Sequence, residues 1–330
     1  MGKADATRRA SCAIALLAAI APWAAMAEDD VCRAPVVIVG ARPRDYQPIF
    51  QTCRDEAGET RLAIRRMSVE DDALLLTVDP KMLTTSLERA NCWRCADTDD
   101  DAQQDTRYLK ALRPPAGAGA QSGPLVNAGL VHGAGAGSFV TGDLCPSQRP
   151  LDRGFFDLLA KNSPGKNGPG TPVALAVSGL WLARHRADFE WLKEKARAGA
   201  LDITWVNHSY RHPYVPGRPD AGNYLLRPGT DMAAEILETE QLMIAQGVTP
   251  SVFFRFPGLV ADASVLETAR RHHLITLGAD SWLVLGPPPR DGSIVLVHPN
   301  GNEPAGLRLF SRLLERGGLP LPLRPINEAP

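Results

Sequence analysis

The stretch LDITWVNHSYRH, residues 201–212, leads an apolar, β-branched segment into two histidines that stand four residues apart. Residues 201–209 are typical of a buried β-strand. His208 and His212 lie at and just beyond the end of that strand, and Pro213 follows directly. Histidine is the commonest metal ligand in proteins. The pair therefore indicates either a metal-binding loop at a strand end or a polar surface loop.

Apolar strands alternate with helices on both sides of this stretch, from about residue 125 to the C-terminus. Strands are predicted at 136–144, 171–179, 201–209, 251–258, 274–282 and 293–299, and helices at 151–161, 184–199, 230–247, 262–273 and 306–318. Strands that alternate with helices pair in parallel and are covered by the helices. The sequence therefore predicts an α/β fold built on a parallel sheet.

Polar residues that core packing does not require close several of these strands. Asp143, Arg255, Asp280 and His298 stand at or near four strand ends, and the histidine pair closes a fifth. The carboxyl ends of all strands in a parallel βα barrel point to one rim, where the chemistry gathers. We therefore expect these side chains to meet at a single site.

The order of these segments resembles that of the polysaccharide deacetylases with a NodB-homology domain, of the carbohydrate esterase family 4 type. The resemblance covers roughly residues 126–330 and includes TGDLCPS (141–147), NHSYRH (207–212), FRFPG (254–258), ADSW (279–282) and IVLVHPNG (294–301). It implies a distorted (β/α) barrel, usually of seven strands. It also implies an enzyme that removes acetyl groups from an N-acetylated, or in some members O-acetylated, polysaccharide.

The resemblance implies roles for the residues at the reacting centre. His208 and His212 would bind a divalent metal, most often zinc. A bound Zn²⁺ lowers the pKa of its water from about 15.7 to about 7. Asp143 would take the proton from that water as it attacks, and His298 would protonate the departing nitrogen.

Three further residues would support this centre. Arg255 would hold the Asp143 carboxylate and keep its pKa low by charge pairing. Asp280 would orient His298 and stabilise its charged form. Trp282 would either line the acetyl pocket as a substrate contact or fill the core.

One departure from the family concerns the two adjacent aspartates of its first motif. Asp143 matches the general base, but Leu144 stands where the metal-binding aspartate is expected. Either the histidines and waters hold the metal, or Asp143 moves onto it, or Glu303 completes the shell, or the site has decayed. Cys145, where the family has glycine, could bind a soft metal or form a disulfide.

The N-terminus predicts export. Residues 1–27 have a positive start, a short apolar run and an Ala-Met-Ala ending, which together are typical of a cleavable signal peptide. The apolar run is shorter than the ~20 residues that a membrane span needs, so no transmembrane segment is expected in the mature chain. The predicted location is the periplasm or the extracellular space.

A small, mostly β domain is predicted at 28–113, followed by a Pro/Gly/Ala-rich linker at 114–125 and the deacetylase-like domain at 126–330. The β prediction rests on apolar runs at 34–40, 60–69 and 72–80. Four cysteines lie in this region, at 32, 53, 92 and 95. In an oxidising compartment they are expected to form two disulfides, and three pairings remain open.

Charge argues against a nucleic-acid partner. Removing residues 1–27 changes the net charge only from −1 to −3, and no basic stripe is present. Three functions remain open: a metal-dependent polysaccharide deacetylase, a catalytically inactive barrel that binds glycan, and a metal-dependent hydrolase of another amide or ester. Leu144 is the feature that keeps the second hypothesis open.

Overall fold

The structure is a computed structural model that describes residues 28–98, 105–113, 123–161 and 170–330. The predicted signal peptide and most of the predicted linker lie outside the described residues. The chain divides into two compact units, 1–34 and 35–330. The first unit contributes a short helix, α1 (Glu28–Arg33). No helix within the described ranges is long and apolar enough to cross a membrane.

An antiparallel sheet of five strands begins the second unit. Its strands are β1 (Arg44–Arg54), β2 (Thr60–Val69), β3 (Asp72–Val78), β4 (Thr85–Arg89) and β5 (Arg94–Asp97), in the order β4-β3-β2-β1-β5. The predicted strands at 60–69 and 72–80 are present. The strand predicted at 34–40 is wrong, because that segment forms no β-strand and its Val37 and Val39 are each 77% exposed.

Disulfides stabilise this β-rich region. Cys53 and Cys95 are bonded and link β1 to β5, and Cys32 and Cys92 are disulfide-bonded as well. The prediction that these four cysteines form two disulfides is therefore confirmed. Cys145 is a free thiol.

A parallel sheet of seven strands forms the rest of the molecule, in the order β12-β10-β9-β8-β7-β14-β13. Its strands are β7 (Phe139–Leu144), β8 (Thr171–Val177), β9 (Leu201–Asn207), β10 (Phe253–Phe254), β12 (Ile275–Thr276), β13 (Ser281–Trp282) and β14 (Ile294–Val297). The short strands β6 (Leu125–Val126) and β11 (Val260–Ala261) form a separate antiparallel pair.

The seven-stranded sheet curls because its two edge strands are neighbours in the chain. Only residues 277–280 join β12 to β13, and five Cα–Cα steps reach at most about 18 Å. The segment 130–132 lies in the remaining gap, where Leu130 pairs with Leu277 on one side and His132 pairs with Ser293 on the other. The predicted distorted (β/α) barrel with a β-rich N-terminal region is confirmed.

Helices follow the parallel strands, as the alternation predicts. They are α2 (Arg107–Leu112) before the barrel, then α3 (Arg153–Lys161), α4 (Gly179–Arg184), α5 (Arg186–Arg197), α6 (Met232–Ala245), α7 (Ala263–Arg271) and α8 (Pro304–Glu315). Asp231 and Asp262 accept hydrogen bonds from the first turns of α6 and α7. The single helix predicted at 184–199 is wrong at its start, because the backbone leaves the helical region at His185 and separates α4 from α5.

A buried ion pair joins the antiparallel sheet to the barrel helices. Arg65 on β2 donates to both carboxylate oxygens of Glu240 on α6, at 2.7 and 2.9 Å. The Tyr46 hydroxyl donates to the same carboxylate at 2.9 Å. Arg65 and Glu240 are almost fully buried. Residues 35–330 accordingly pack as one compact unit, and domain boundaries at 113 and 126 stay a prediction.

Candidate active site

Four of the residues predicted from the strand ends, Asp143, His208, His212 and His298, lie at the carboxyl ends of β7, β9 and β14. Asp143 is the penultimate residue of β7, His208 follows β9, and His298 follows β14. A cavity of about 650 Å³ opens here. Asp143, Cys145, His212 and His298 are among the residues that line it. Parallel pairing therefore brings together residues that are far apart in the sequence.

Arg255 fixes Asp143 from inside the barrel. Its guanidinium is fully buried and donates to Asp143 Oδ1 at 2.8 Å, to Thr141 Oγ1 at 2.7 Å and to the carbonyl oxygen of Gly278 at 2.8 Å. Asp143 itself is 3% exposed. The structure thus brings the two residues together in the contact expected from the sequence, and the remaining oxygen, Oδ2, lies 3.7 Å from His208 Nε2.

His208 presents its Nε2 atom to the site. Its Nδ1 atom donates to the carbonyl oxygen of Arg255 at 2.8 Å, so the neutral ring carries its free electron pair on Nε2. The ring is fully buried. Burial opposes a charge on this ring, but the neighbouring Asp143 and Cys145 outweigh it and raise the pKa of His208 above its ordinary value.

His212 is placed by a tight turn in the loop after β9. Ser209 and His212 both adopt left-handed backbone conformations, with φ of 63° and 49°. The Ser209 hydroxyl accepts the backbone N–H of His212 at 3.2 Å. The His208 and His212 rings then lie edge to face, with centroids 4.7 Å apart. Within the described residues, the buried Nε2 atom of His212 has no hydrogen-bond partner.

Cys145 joins the two histidines. Its Sγ atom lies 3.5 Å from His208 Nε2, and one donor atom from each of Cys145, His208 and His212 lies within 4.8 Å of the others. Burial opposes ionisation of the thiol, but the histidines around it together lower the pKa of Cys145 well below its usual range. Imidazole nitrogens and a cysteine sulfur are the donors that Zn²⁺ takes. The residues present therefore fit a divalent metal.

Glu303 holds His298, which follows β14, the strand paired with the Asp143 strand β7. The carboxylate accepts from His298 Nδ1 at 3.2 Å and from the indole Nε1 of Trp282 at 3.0 and 3.1 Å. Burial opposes a charge on His298, but Cys145, Glu303 and Asp143 raise its pKa to about 10. Trp282 lines the cavity, with its ring 5.3 Å from the His298 ring.

The expected contact between Asp280 and His298 is wrong. The Asp280 carboxylate instead accepts from His132 Nδ1 at 2.8 Å, from the Ser293 hydroxyl at 3.1 Å and from the backbone N–H of Ile294 at 2.9 Å. These bonds hold the segment that fills the gap in the barrel. Glu303 occupies the orienting position on His298, so the option that Glu303 completes the metal shell has no support from its contacts.

Aromatic and basic residues at the cavity mouth were missed in the sequence. The rings of Tyr214 and Tyr224 stack with centroids 5.2 Å apart, and Arg211 and Arg227 line the same cavity. Tyr224 lies against Gly258, where a Cβ atom would come within 2.4 Å of the ring. These residues belong to loops without periodicity, so only their position after β9 could have indicated them.

Comparison with known proteins gives distant structural likenesses. A scan against known protein families finds no match. The chain is similar to a family 4 carbohydrate esterase from Bacillus anthracis, with 17% identity over 62% of this chain and 87% of that chain and a TM-score of 0.42. It is also similar to a family 4 carbohydrate esterase from Streptomyces lividans in complex with acetate, with 20% identity over 56% and 91% and a TM-score of 0.37.

A third likeness is to a pseudoenzyme of carbohydrate esterase family 4 from Bacillus anthracis. The identity is 16%, the match covers 56% of this chain and 63% of that chain, and the TM-score is 0.37.

Proposed function

We propose that this protein is an exported, metal-dependent deacetylase that removes acetyl groups from an N-acetylated, or O-acetylated, polysaccharide. The observation that supports this most is the arrangement of acid, base and ligand groups around one cavity. Asp143, His212 and His298 all line it, and each is held by contacts made from a different part of the chain. An amide or ester hydrolase needs this combination of a base, an acid and an electrophile.

His208 and His212 would hold the divalent metal, and their imidazole nitrogens are donors that suit zinc. When bound, the metal would polarise the acetyl carbonyl and make a water molecule more acidic. Asp143 accepts the proton of the attacking water, because its Oδ2 atom is not used by Arg255. Arg255 holds the carboxylate in place through its hydrogen bond to Oδ1.

His298 acts as the general acid on the departing nitrogen or oxygen. Its partner Glu303 favours the protonated ring and fixes the Nδ1 atom, so Nε2 carries the proton that the leaving group needs. The indole of Trp282 contacts both residues. The chain thus supplies the base at the end of β7 and the acid just after the neighbouring strand β14.

Aromatic side chains at the mouth of this cavity support a sugar chain as the substrate. The stacked Tyr214 and Tyr224 rings offer flat apolar faces beside it, and Trp282 offers a third. Such faces pack against the C–H faces of sugar rings by the same dispersion and burial that pack aromatic side chains. Export is supported by the disulfides, which persist in oxidising compartments.

Acetate release from N-acetylglucosamine oligomers tests this function. The zinc-loaded protein should release acetate, a chelator should stop the reaction, and added Zn²⁺ should restore it. Asp143→Asn should lose about 10²–10⁴-fold in rate, as loss of a general base does. Asp157→Asn, which removes a carboxylate paired with Lys195 on the surface, is the matched control and should keep the rate. Equal rates in the two variants would exclude Asp143 as the base.

A second function, glycan binding without hydrolysis, is favoured by one observation. Leu144, at the position expected for a metal-binding carboxylate, is fully buried in an apolar cluster. An inactive protein would bind the same oligomers in calorimetry and release no acetate at any metal loading. That pair of results would replace the deacetylase proposal.

A further inference from the structure

The two histidines leave the identity of a third protein ligand open, since a catalytic zinc site usually has three. The backbone of Leu144 ends β7, and its side chain packs with apolar residues such as Leu175 and Trp181 rather than with the histidines. Adjacent residues in a strand point to opposite faces. Asp143 therefore faces the cavity, and position 144 cannot supply a ligand.

The nearby carboxylates are engaged elsewhere. One oxygen of Asp143 accepts from Arg255, and Asp143 is not part of the tight group of donor atoms found among the described residues. The Glu303 carboxylate accepts from His298 and Trp282. Neither residue therefore matches the position of a third ligand as well as Cys145 does.

Cys145 lies close enough to the histidines to bind the same metal, and its thiol is not oxidised. Its sulfur forms the tight group with His208 and His212. It is not in a disulfide. Its backbone carbonyl accepts from the amide of Asn300 at 2.9 Å, and Asn300 is fully buried. This bond ties the loop after β7 to the loop after β14 and holds the sulfur beside the rings.

We propose that Cys145 is the third metal ligand, bound as a thiolate with His208 and His212, and that this sulfur selects thiophilic cations such as Zn²⁺ and Co²⁺ over Mg²⁺, Ca²⁺ and Mn²⁺. Thiolates favour zinc-like metals, whereas carboxylates, carbonyls and water suit the harder cations. The inference rests on the proposed function only in sharing its metal site. The sulfur then takes the ligand position expected for a carboxylate at Leu144, and Asp143 can act as the base.

Cobalt spectroscopy of the full chain tests this ligand directly. Co²⁺ added to the metal-free protein should give a thiolate-to-cobalt charge-transfer band in the near ultraviolet that saturates at one metal per chain. Zn²⁺ should abolish the band by displacement, and a large excess of Mg²⁺ or Ca²⁺ should not. A wild-type protein that binds Co²⁺ without this band, or that binds no Co²⁺, would overturn the proposal.

Two variants at the same position make the test specific. Cys145→Ser should lose the band and bind Zn²⁺ at least about ten-fold more weakly, since losing even an outer partner of a ligand costs about that much. Cys145→Asp should also lose the band but shift the preference toward Mn²⁺. Circular dichroism checks that both fold. A band that persists in Cys145→Ser would come from the sulfur of another residue and would contradict the inference.

The outcomes also separate this inference from the proposed function. Acetate release by a protein whose cobalt form has no sulfur band keeps the deacetylase and removes Cys145 from the metal. A sulfur band without acetate release at any zinc loading keeps Cys145 as a ligand and removes the deacetylase.

Discussion

Single residues at the ends of β7, β9 and β14 would carry the proposed chemistry, and the structure gives the contacts of each one. Asp143 is held by Arg255, His208 by a backbone carbonyl, and His298 by Glu303. Each of these hydrogen bonds restricts the rotation of the side chain that it holds. The proposed activity should therefore depend on these hydrogen-bond partners as much as on the residues they hold.

Arg255 should be a costly charge to remove. Arg255→Met leaves the buried Asp143 carboxylate without its cation, and breaking a buried pair costs about 3–5 kcal/mol of unfolding free energy. Arg271 makes an exposed pair with Glu267, so Arg271→Met should cost no more than about 1 kcal/mol. Urea unfolding of the two variants measures the difference. Similar losses would mean that the buried pair adds nothing special to stability.

Glu303 should act through His298 rather than on the substrate. Glu303→Gln removes the carboxylate that favours the protonated ring, so the pKa of His298 falls from its raised value of about 10. The general acid then loses its proton at lower pH, and the alkaline limb of the rate profile should move to lower pH. We expect the rate at neutral pH to fall about 10–100-fold.

Asp280 provides the contrast for this prediction. Asp280→Asn keeps the Glu303–His298 contact and should leave the alkaline limb where it is. If Asp280→Asn moves the limb and Glu303→Gln does not, the assignment of the orienting carboxylate is wrong.

The sequence predicts the site residues unevenly, for a physical reason. Asp143, Arg255 and His298 end strands, and parallel pairing brings strand ends together whatever the loops do. Asp280 and Glu303 were harder to assign because each lies in a loop beyond its strand. The path of the loop decides which carboxylate reaches His298. That path cannot be predicted from a periodic sequence pattern.

At the scale of elements, the helices and strands with the most regular apolar spacing were predicted best. The strands β8 and β9 and the helices α6 and α7 were predicted because their apolar spacing and caps agree. β1 was missed because Pro48 and two register shifts interrupt its alternation. Helix α4 was missed because its six residues make fewer than two turns, too few to show a helical period.

The Arg65–Glu240 pair is the element-scale contact that should hold β2 on α6. Arg65→Met leaves Glu240 buried with only the Tyr46 hydroxyl, so we expect a loss of about 3–5 kcal/mol. The double variant Arg65→Met with Glu240→Leu removes both charges and should regain most of that loss. Chemical unfolding of the singles and the double completes the cycle. A double variant as unstable as the sum of its singles would show that the two residues do not interact.

At the scale of the whole molecule, the curled sheet and the antiparallel sheet pack as one unit. The join between β12 and β13 is so short that the barrel must nearly close, which the alternating pattern alone cannot reveal. The contacts between the sheets could not be predicted either. They depend on charged residues such as Arg65, which a sequence pattern predicts to be exposed. The fold class could therefore be predicted from the sequence, and the packing of its two sheets could not.

Acid should weaken this packing through His273, whose ring stacks on Phe50 of β1 at 4.3 Å. Burial, together with the charge of Arg65, lowers the pKa of His273 from 6.5 to about 3. The unfolded chain therefore binds this proton first, and the stability that the neutral ring contributes is complete above pH 6.5 and is lost as the pH falls toward 3.

His273→Asn tests that contribution, since asparagine tolerates the left-handed backbone found here, with φ of 57°. The unfolding free energy of the variant should fall less steeply with acid than that of the wild type over the same pH range. Denaturant titrations at several pH values measure both slopes. Parallel slopes would mean that His273 does not couple folding to protons.

The central claim is that one metal ion binds between the histidines after β9 and the residues that follow β7. Anomalous X-ray scattering at the zinc absorption edge, from crystals grown with Zn²⁺, locates that ion directly. We predict a single strong peak about 2.0–2.3 Å from Nε2 of His208, Nε2 of His212 and Sγ of Cys145. A peak elsewhere, or none at this cavity in zinc-saturated crystals, would contradict the account.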